Sequence, residues 1–102
     1  MIKLVFFVPV GEKEKVKKAV FDVGAGKIGN YDCCCFEMIG DGQFRPLDNA
    51  NPALGENGVV EVVKEARIEM VLDDKIKEKV EQSLVEAHPY ETPAYEFYSL
   101  LN

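Results

Sequence analysis

The feature that most constrains the fold is an internal repeat, in which the second half of the chain follows the first at an offset of 64 residues. Apolar positions of two strand-like runs coincide at this offset, pairing Leu4 with Ile68, Phe6 with Met70 and Val8 with Leu72. The helix-like stretches coincide too, pairing Glu14 with Glu78, Lys15 with Lys79, Val16 with Val80, Val20 with Leu84 and Val23 with Ala87. The match continues without a gap to Tyr31 on Tyr95 and Cys33 on Phe97. Internal repetition decides topology, so the chain is expected to contain two similar βαβ halves.

The residue patterns predict where the elements of each half lie. Apolar runs and alternation predict strands, and apolar positions at i, i+3, i+4 and i+7 predict helices. The strands are predicted at Lys3–Pro9, Tyr31–Met38, Val59–Leu72 and Pro93–Leu100, and the helices at Glu12–Val23 and Lys75–Ala87. Asp73 or Asp74 is expected to cap the second helix. The glycine- and proline-rich stretch Ile39–Gly58 is expected to be a long loop.

Two interleaved right-handed βαβ halves give a ferredoxin-like βαββαβ sandwich, with an antiparallel sheet and both helices on one face. A chain of 102 residues has room for one domain of this kind. In this topology the segment after each helix lies at an opposite end of the sheet. The segment that starts at His88 shares its end with the long loop, so a pocket is expected there. The sheet face without helices is expected to form a subunit contact, because large exposed apolar patches are rare on monomers.

The charge and composition exclude several classes of function. Twelve basic and 18 acidic residues give a formal charge of −6, and no basic run is present, so nucleic-acid binding is not expected. The apolar stretch Leu4–Val10 is much shorter than the roughly 20 residues that span a bilayer, so no membrane association is expected. It also lacks the charged leader and cleavage site of a signal peptide. Together with an odd, clustered set of cysteines, this favours a cytoplasmic protein.

His88, the only histidine, carries the clearest chemical potential, because it precedes Pro89, Tyr90 and Glu91. His88 and Glu91 are spaced so that they could hold a divalent metal or grip a polar ligand. The alternative, which we favour, is that His88 closes the end of the helix by bonding its last carbonyls. One histidine cannot supply the several ligands of a hydrolytic dinuclear centre.

The three consecutive cysteines, Cys33, Cys34 and Cys35, have two interpretations. Thiolates are soft ligands that favour copper(I) or zinc. We favour the alternative, in which small buried cysteines pack in a central strand, because no CxxC spacing is present.

Motifs for catalysis or nucleotide binding are weak or missing. The glycine-rich run Gly24–Asn30 follows a helix, whereas a phosphate cradle needs the order strand, glycines, helix. The chain has no GxSxG motif, no P-loop lysine motif and only two serines, so a nucleophile–base pair is not expected. Arg45 in the long loop could hold an anion.

Several linked segments together resemble a known family. They are Gly24–Tyr31 with Cys34 and Phe36 after it, Gly42–Pro46, Asn51–Gly55, Glu65–Glu69 and His88–Glu91. Over nearly the full chain they resemble the YqfO-type domain inserted in some Nif-three-like dinuclear-metal proteins, which are often labelled GTP cyclohydrolase homologues. Here that insert is expected to stand alone. The histidine-rich metal ligands of the host family have no matching positions in this sequence.

The resemblance implies the fold of CutA and PII-type signal proteins, which form trimers of ferredoxin-like subunits, and CutA-like proteins carry a counterpart of His88–Glu91. We therefore expect a non-catalytic homo-oligomeric module, of trimeric form, that binds a small ligand or partner, which could be a dinuclear-metal protein. Its predicted ligand-binding residues are His88, Tyr90, Glu91, Phe44 and Arg45. The alternative is a divalent-metal or copper protein of CutA type that uses His88 and Glu91 and could also use the cysteines. A hydrolase ranks last.

Overall fold

The computed structural model describes residues 1–102 and contains four strands and two helices. In chain order these are β1 (Ile2–Pro9), α1 (Lys13–Asp22), β2 (Phe36–Phe44), β3 (Glu61–Leu72), α2 (Lys77–Ala87) and β4 (Tyr95–Ser99). The strands form one antiparallel sheet in the order β2-β3-β1-β4. Each half is therefore split by the first strand of the other half, and this confirms the predicted ferredoxin-like architecture.

The core lies between the sheet and the two helices, and both halves contribute to it equally. Its fully buried side chains include five pairs related by the 64-residue offset, namely Leu4 with Ile68, Phe6 with Met70, Val8 with Leu72, Val16 with Val80 and Val20 with Leu84. Burying one such side chain stabilises the fold by roughly 1.5–3 kcal/mol. The repeat is therefore a repeat of core positions in the first strand and the helix of each half.

The repeat does not extend into the second strand of each half, and this part of the prediction is wrong. Tyr31 forms only an isolated bridge with Ile28, and β2 starts five residues later, at Phe36. The strand then runs through Ile39–Phe44, which was expected to be loop. Gly42 lies in this strand beside the Glu65 carboxylate on β3, which occupies the space that a Cβ at this position would take.

Element boundaries also differ from the sequence prediction at other points. The connection between β2 and β3 covers residues 45–60, so Val59 and Val60 lie outside β3. A short 3-10 turn precedes each helix, at Val10–Glu12 and Asp74–Ile76. The predicted cap is confirmed, since the Asp73 carboxylate accepts a hydrogen bond from the Lys75 amide at 2.8 Å. No helix is both long and apolar enough to cross a membrane.

The sheet face without helices is not the bare apolar surface that the sequence suggested. Glu69 accepts hydrogen bonds there from Lys3 at 3.4 Å and from Arg67 at 3.0 Å, and Val5 is buried on the same face. The guanidinium of Arg67 also lies 5.8 Å from the centre of the Phe7 ring. Exposed apolar side chains are found instead along the edge strand β2, at Phe36, Met38 and Ile39.

Candidate functional site: a cleft between the β2–β3 connection and the segment after α2

A cleft of about 390 Å³ opens at the end of the sheet where β1 finishes. It is lined by the last residues of β2, by the 45–60 connection and by the segment between α2 and β4. Its walls include four of the five residues predicted to bind a ligand, namely Phe44, Arg45, Tyr90 and Glu91. The structure thus brings together residues that are up to 47 positions apart in the sequence (91 − 44).

His88, the fifth predicted residue, is 6% exposed and supports the cleft without lining it. Its Nε2 lies 2.6 Å from the Phe7 carbonyl oxygen, and its Nδ1 accepts a hydrogen bond from the Tyr90 amide at 3.1 Å. This pattern assigns the neutral ring with the proton on Nε2. Burial lowers the pKa of His88 below its ordinary value of 6.5, although the bond to Phe7 opposes the shift.

We predicted that the His88 ring bonds the last carbonyls of α2, and this prediction is wrong. The ring bonds a carbonyl of β1, and not the last carbonyls of α2. The helix end is closed by the backbone, since the His88 amide donates to the Leu84 carbonyl at 2.9 Å. The ring also lies 5.1 Å from the ring of Tyr90, centre to centre, so it fixes the position of that cleft residue.

Tyr90 connects the polar and the aromatic parts of the cleft. Its hydroxyl donates to Glu65 Oε2 at 2.9 Å, and its ring lies 5.8 Å from the ring of Phe44. Burial, reinforced by the hydrogen bond to Glu65, raises the pKa of Tyr90. The hydroxyl therefore stays protonated and remains a donor at neutral pH.

Sequence reasoning missed Glu65 as a cleft residue. In a strand that alternates apolar and charged side chains, a glutamate at this position is normally a solvated residue. Its partner Tyr90 is 25 residues away, so no local spacing points to the pair. The signal that could have found it is Gly42, since a glycine inside a strand often marks a place where another group approaches closely.

Glu91 holds the 45–60 connection against the segment that follows α2. Its Oε1 accepts a hydrogen bond from the Asn51 amide at 3.0 Å. The connection is also closed by its own bonds, including Gly58 amide to Pro46 carbonyl at 2.6 Å and Asn57 side chain to Asp48 carbonyl at 3.3 Å. Arg45 lines the cleft with an exposed side chain. The cleft therefore combines aromatic surface with two carboxylates and one guanidinium.

The predicted pair His88 and Glu91 is not arranged as a metal centre. No group of three or more His, Cys, Asp or Glu side chains is placed to hold a metal ion. Both ring nitrogens of His88 already have hydrogen-bond partners in the fold. A metal at His88 would have to displace one of them, which makes this site a poor fit for a cation.

The cysteines are not buried in a central strand, so the interpretation that we favoured for them is wrong. Cys33 and Cys35 are exposed and Cys34 is half-buried, and all three thiols are free. They lie in the segment before β2, at the end of the molecule opposite the cleft. Cys33 has φ +54°, a left-handed conformation that residues other than glycine rarely adopt.

Comparison with solved structures first defines the class of fold. The PII-like protein CutA from Nostoc superposes with a TM-score of 0.71 and is 17% identical, covering 100% of this chain and 83% of that protein. At this identity the similarity concerns the fold alone. The chain therefore has a CutA- and PII-like ferredoxin-type fold.

Sequence similarity then identifies the relatives. The GTP cyclohydrolase 1 type 2 homolog of Halalkalibacterium halodurans is 42% identical over 102 residues, which are 100% of this chain and 27% of that protein. A Bacillus cereus protein related to NIF3 superposes with a TM-score of 0.83 and is 44% identical, covering 99% of this chain and 26% of that protein. The chain spans about a quarter of the length of the relatives it matches. The predicted resemblance to one segment of NIF3-related proteins is confirmed, while no protein-family model matches the chain.

Proposed function

We propose that this chain is a non-catalytic module that binds a small organic ligand in the cleft formed by the end of β2, the 45–60 connection and the segment after α2. The observation that carries the proposal is the composition of the cleft, where the rings of Phe44 and Tyr90 lie beside the carboxylates of Glu65 and Glu91 and the guanidinium of Arg45. Ligand sites are mostly apolar concavities of about 300–1,000 Å³ with a few placed polar groups. A cleft of about 390 Å³ falls within that range.

The experiment is a titration followed by NMR of the isotopically labelled chain. The probes are three matched aromatic compounds, benzamidine, benzoate and benzyl alcohol, which differ in charge and share a ring. We expect at least one probe to shift the amide signals of Phe44, Tyr90 and Glu91 saturably. The variant Phe44→Ala should lose the response, whereas Tyr98→Ala, which changes an exposed ring on β4 outside the cleft, should keep it. If no probe produces saturable shifts at the cleft, the proposal is wrong.

We also propose that the module is a homo-oligomer, with a trimer as the expected form. The support is the edge strand β2, which has one paired side and exposes 64% of Phe36 and 51% of Met38. An exposed apolar edge strand is a template for pairing with another chain. In sedimentation experiments Met38→Lys should shift the chain toward monomer. The control Val85→Lys changes another exposed apolar residue, on α2, and should leave the assembly unchanged.

The alternative, a copper- or divalent-metal-binding protein, remains a prediction with weaker support. The occupied ring nitrogens of His88 count against it. Thermal unfolding with copper, zinc or manganese tests it, because an ion that binds only the folded state raises the unfolding midpoint. We expect no increase that depends on His88. A cytoplasmic location and a dinuclear-metal partner protein also remain proposals, and hydrolysis has no support from the cleft residues.

A further inference from the structure

A second concave surface lies along α1 and involves the cysteines. Its volume is about 330 Å³, and it is lined by the exposed face of α1 and by the segment before β2. The side chains there are Glu14, Lys17, Lys18, Phe21, Asp22, Cys33 and Cys35. Two cysteines separated by a single position therefore line the same depression.

Cys34 does not line this depression. Its thiol lies 3.5 Å from the Asp32 carbonyl oxygen, and its amide donates to the Gly26 carbonyl at 2.8 Å. Cys33 has a left-handed backbone, so the alternation of a regular strand does not decide which thiols are paired. The shared lining by Cys33 and Cys35 favours a bond between these two over one that involves Cys34.

The Lys17 ammonium lies close enough to Cys35 to act on its charge. The Lys17 ammonium is held at 2.8 Å from Glu37 and 3.1 Å from Glu14, and its side chain is only 14% exposed. Burial raises the pKa of the Cys35 thiol, the charge of Lys17 acts against that shift, and the carboxylates of Glu37 and Glu14 reinforce it. Cys35 is thus protonated at rest, and Lys17 is the one neighbouring group that favours its thiolate.

We propose that Cys33 and Cys35 form a redox-active dithiol that reduces small-molecule disulfides. Cys33 gives its proton to water, and its thiolate attacks one sulfur of the disulfide. The sulfur–sulfur bond of the reagent breaks, one thiolate leaves and takes up a proton, and a mixed disulfide remains on Cys33. Cys35 then loses its proton to water and attacks the Cys33 sulfur, which expels the second thiolate. Two protein thiols are oxidised by two electrons, and one disulfide is reduced to two thiols.

The unusual backbone of Cys33 agrees with this role. A residue other than glycine with φ +54° is strained, and such strain persists where the surrounding structure maintains it. Here the neighbouring segment is held by the bond from Cys34 to Gly26 and by the bridge between Ile28 and Tyr31. The constraint keeps Cys33 exposed at the depression, where it can meet a disulfide in solution.

The test uses the full chain, reduced and then treated anaerobically with glutathione disulfide, and analysed by intact mass and peptide mapping. The parent chain should become two hydrogen atoms lighter, with the bond mapped to Cys33 and Cys35, and should release two equivalents of glutathione. Cys34→Ser should behave in the same way. Cys35→Ser should instead retain one glutathione on Cys33 and release about tenfold less thiol in the second step, because the intramolecular thiol is missing.

Two further outcomes decide the proposal. Lys17→Gln should shift the second step to higher pH without changing the mapped bond, since it removes the cation beside Cys35. The proposal is overturned if the bond maps to Cys34, if Cys34→Ser abolishes the internal bond, or if the parent chain accumulates a stable mixed disulfide. Amide spectra that match the parent confirm that each variant is folded.

Discussion

The two segments that follow the helices occupy equivalent positions in the repeat, yet they bond a carbonyl of the neighbouring strand in different ways. In the first half, the Gly26 amide donates to the Val71 carbonyl at 2.8 Å. In the second half, His88 Nε2 lies 2.6 Å from the Phe7 carbonyl. Phe7 and Val71 are themselves related by the 64-residue offset (71 − 7). Each segment thus bonds a carbonyl in the first strand of the other half. The segment after α1 uses a backbone amide, and the segment after α2 uses an imidazole ring.

This difference explains where the cleft lies. A backbone amide can reach the carbonyl only if the chain runs close to the strand, and Gly26 allows that approach because it has no Cβ. A histidine ring spans the same gap from farther away. The space beside it is lined by Tyr90 and by the 45–60 connection. The cleft therefore lies at the end of the sheet where a side chain has taken the place of a close backbone contact.

The largest expected effect comes from adding a side chain at Gly26, where the chain runs close to Phe21 and Cys34. In Gly26→Ala, the new Cβ would lie 2.7 Å from Phe21 Cε1 and 2.9 Å from the Cys34 carbonyl oxygen, at φ +78°. Left-handed strain and overpacking together should lower the free energy of unfolding by about 3 kcal/mol. Urea denaturation measures this. Gly29→Ala is the control, with φ +56° and no atom within 4 Å, and it should lose only about 1 kcal/mol. Equal losses would show that the close approach is not limiting.

The second prediction removes the side chain that replaces this contact. His88→Ala deletes two hydrogen bonds and leaves the Phe7 carbonyl without its ring donor, so the free energy of unfolding should fall by about 2 kcal/mol. The variant should also broaden the NMR signals of Tyr90. Gln82→Ala, which removes an exposed bond to Glu86, should change the stability by less than about 0.5 kcal/mol. A His88→Ala chain as stable as this control would contradict the role given to the ring.

The sequence predicts the first strand and the helix of each half well, because the two halves share them. It predicts the second strand of the first half poorly. Leu4, Ile68, Val16 and Val80 lie in the core because burial imposes the same periodicity on both halves. The segment from Tyr31 to Cys35 resembles a strand in composition, but it forms no ladder. Strand formation depends on a partner strand, and no local pattern shows that the pairing of β2 with β3 starts at Phe36.

The cleft was predicted in part for a similar reason. Topology alone placed Tyr90 and Glu91 at the same end as Phe44 and Arg45, and the structure brings these four residues together. Glu65 and the ring acceptor of His88 depend on contacts between residues distant in the sequence. Such contacts leave no spacing to read, so the sequence could indicate the candidate residues but not their partners.

The third prediction concerns the pH dependence of stability that the single histidine, in the second half, gives the chain. Burial lowers the pKa of folded His88 below 6.5, so the unfolded chain binds a proton that the folded chain resists. The free energy of unfolding is therefore at its full value above pH 6.5. It falls as the pH drops toward the pKa of folded His88, with a slope approaching about 1.4 kcal/mol per pH unit. Glu37 and Glu69 also have lowered pKa values, but their ordinary value is 4.5, so their effect comes at more acid pH.

The measurement is the urea midpoint across the window from pH 6.5 to 4.5. The parent chain should lose stability through this window, and His88→Gln should show a flatter profile there. Below the window both chains should decline together as the carboxylates that bind Lys13, Lys17 and Arg67 become protonated. A parent profile that is flat between these limits would show that burial does not perturb His88.

The smallest expected effect concerns the bond that closes the polar side of the cleft. Tyr90→Phe keeps the ring that faces Phe44 and His88 but removes the hydroxyl that donates to Glu65, so the free energy of unfolding should fall by about 1 kcal/mol. Tyr98→Phe is the matched control, because its hydroxyl makes only an exposed contact of 3.4 Å with Glu96, and it should be close to neutral. Absorbance titration should show that the tyrosine with the highest pKa is missing from Tyr90→Phe and present in Tyr98→Phe. If both variants lose equal stability and the same titration step, the bond between Tyr90 and Glu65 does not shape the cleft, and the ring contacts with His88 and Phe44 hold Tyr90 in place.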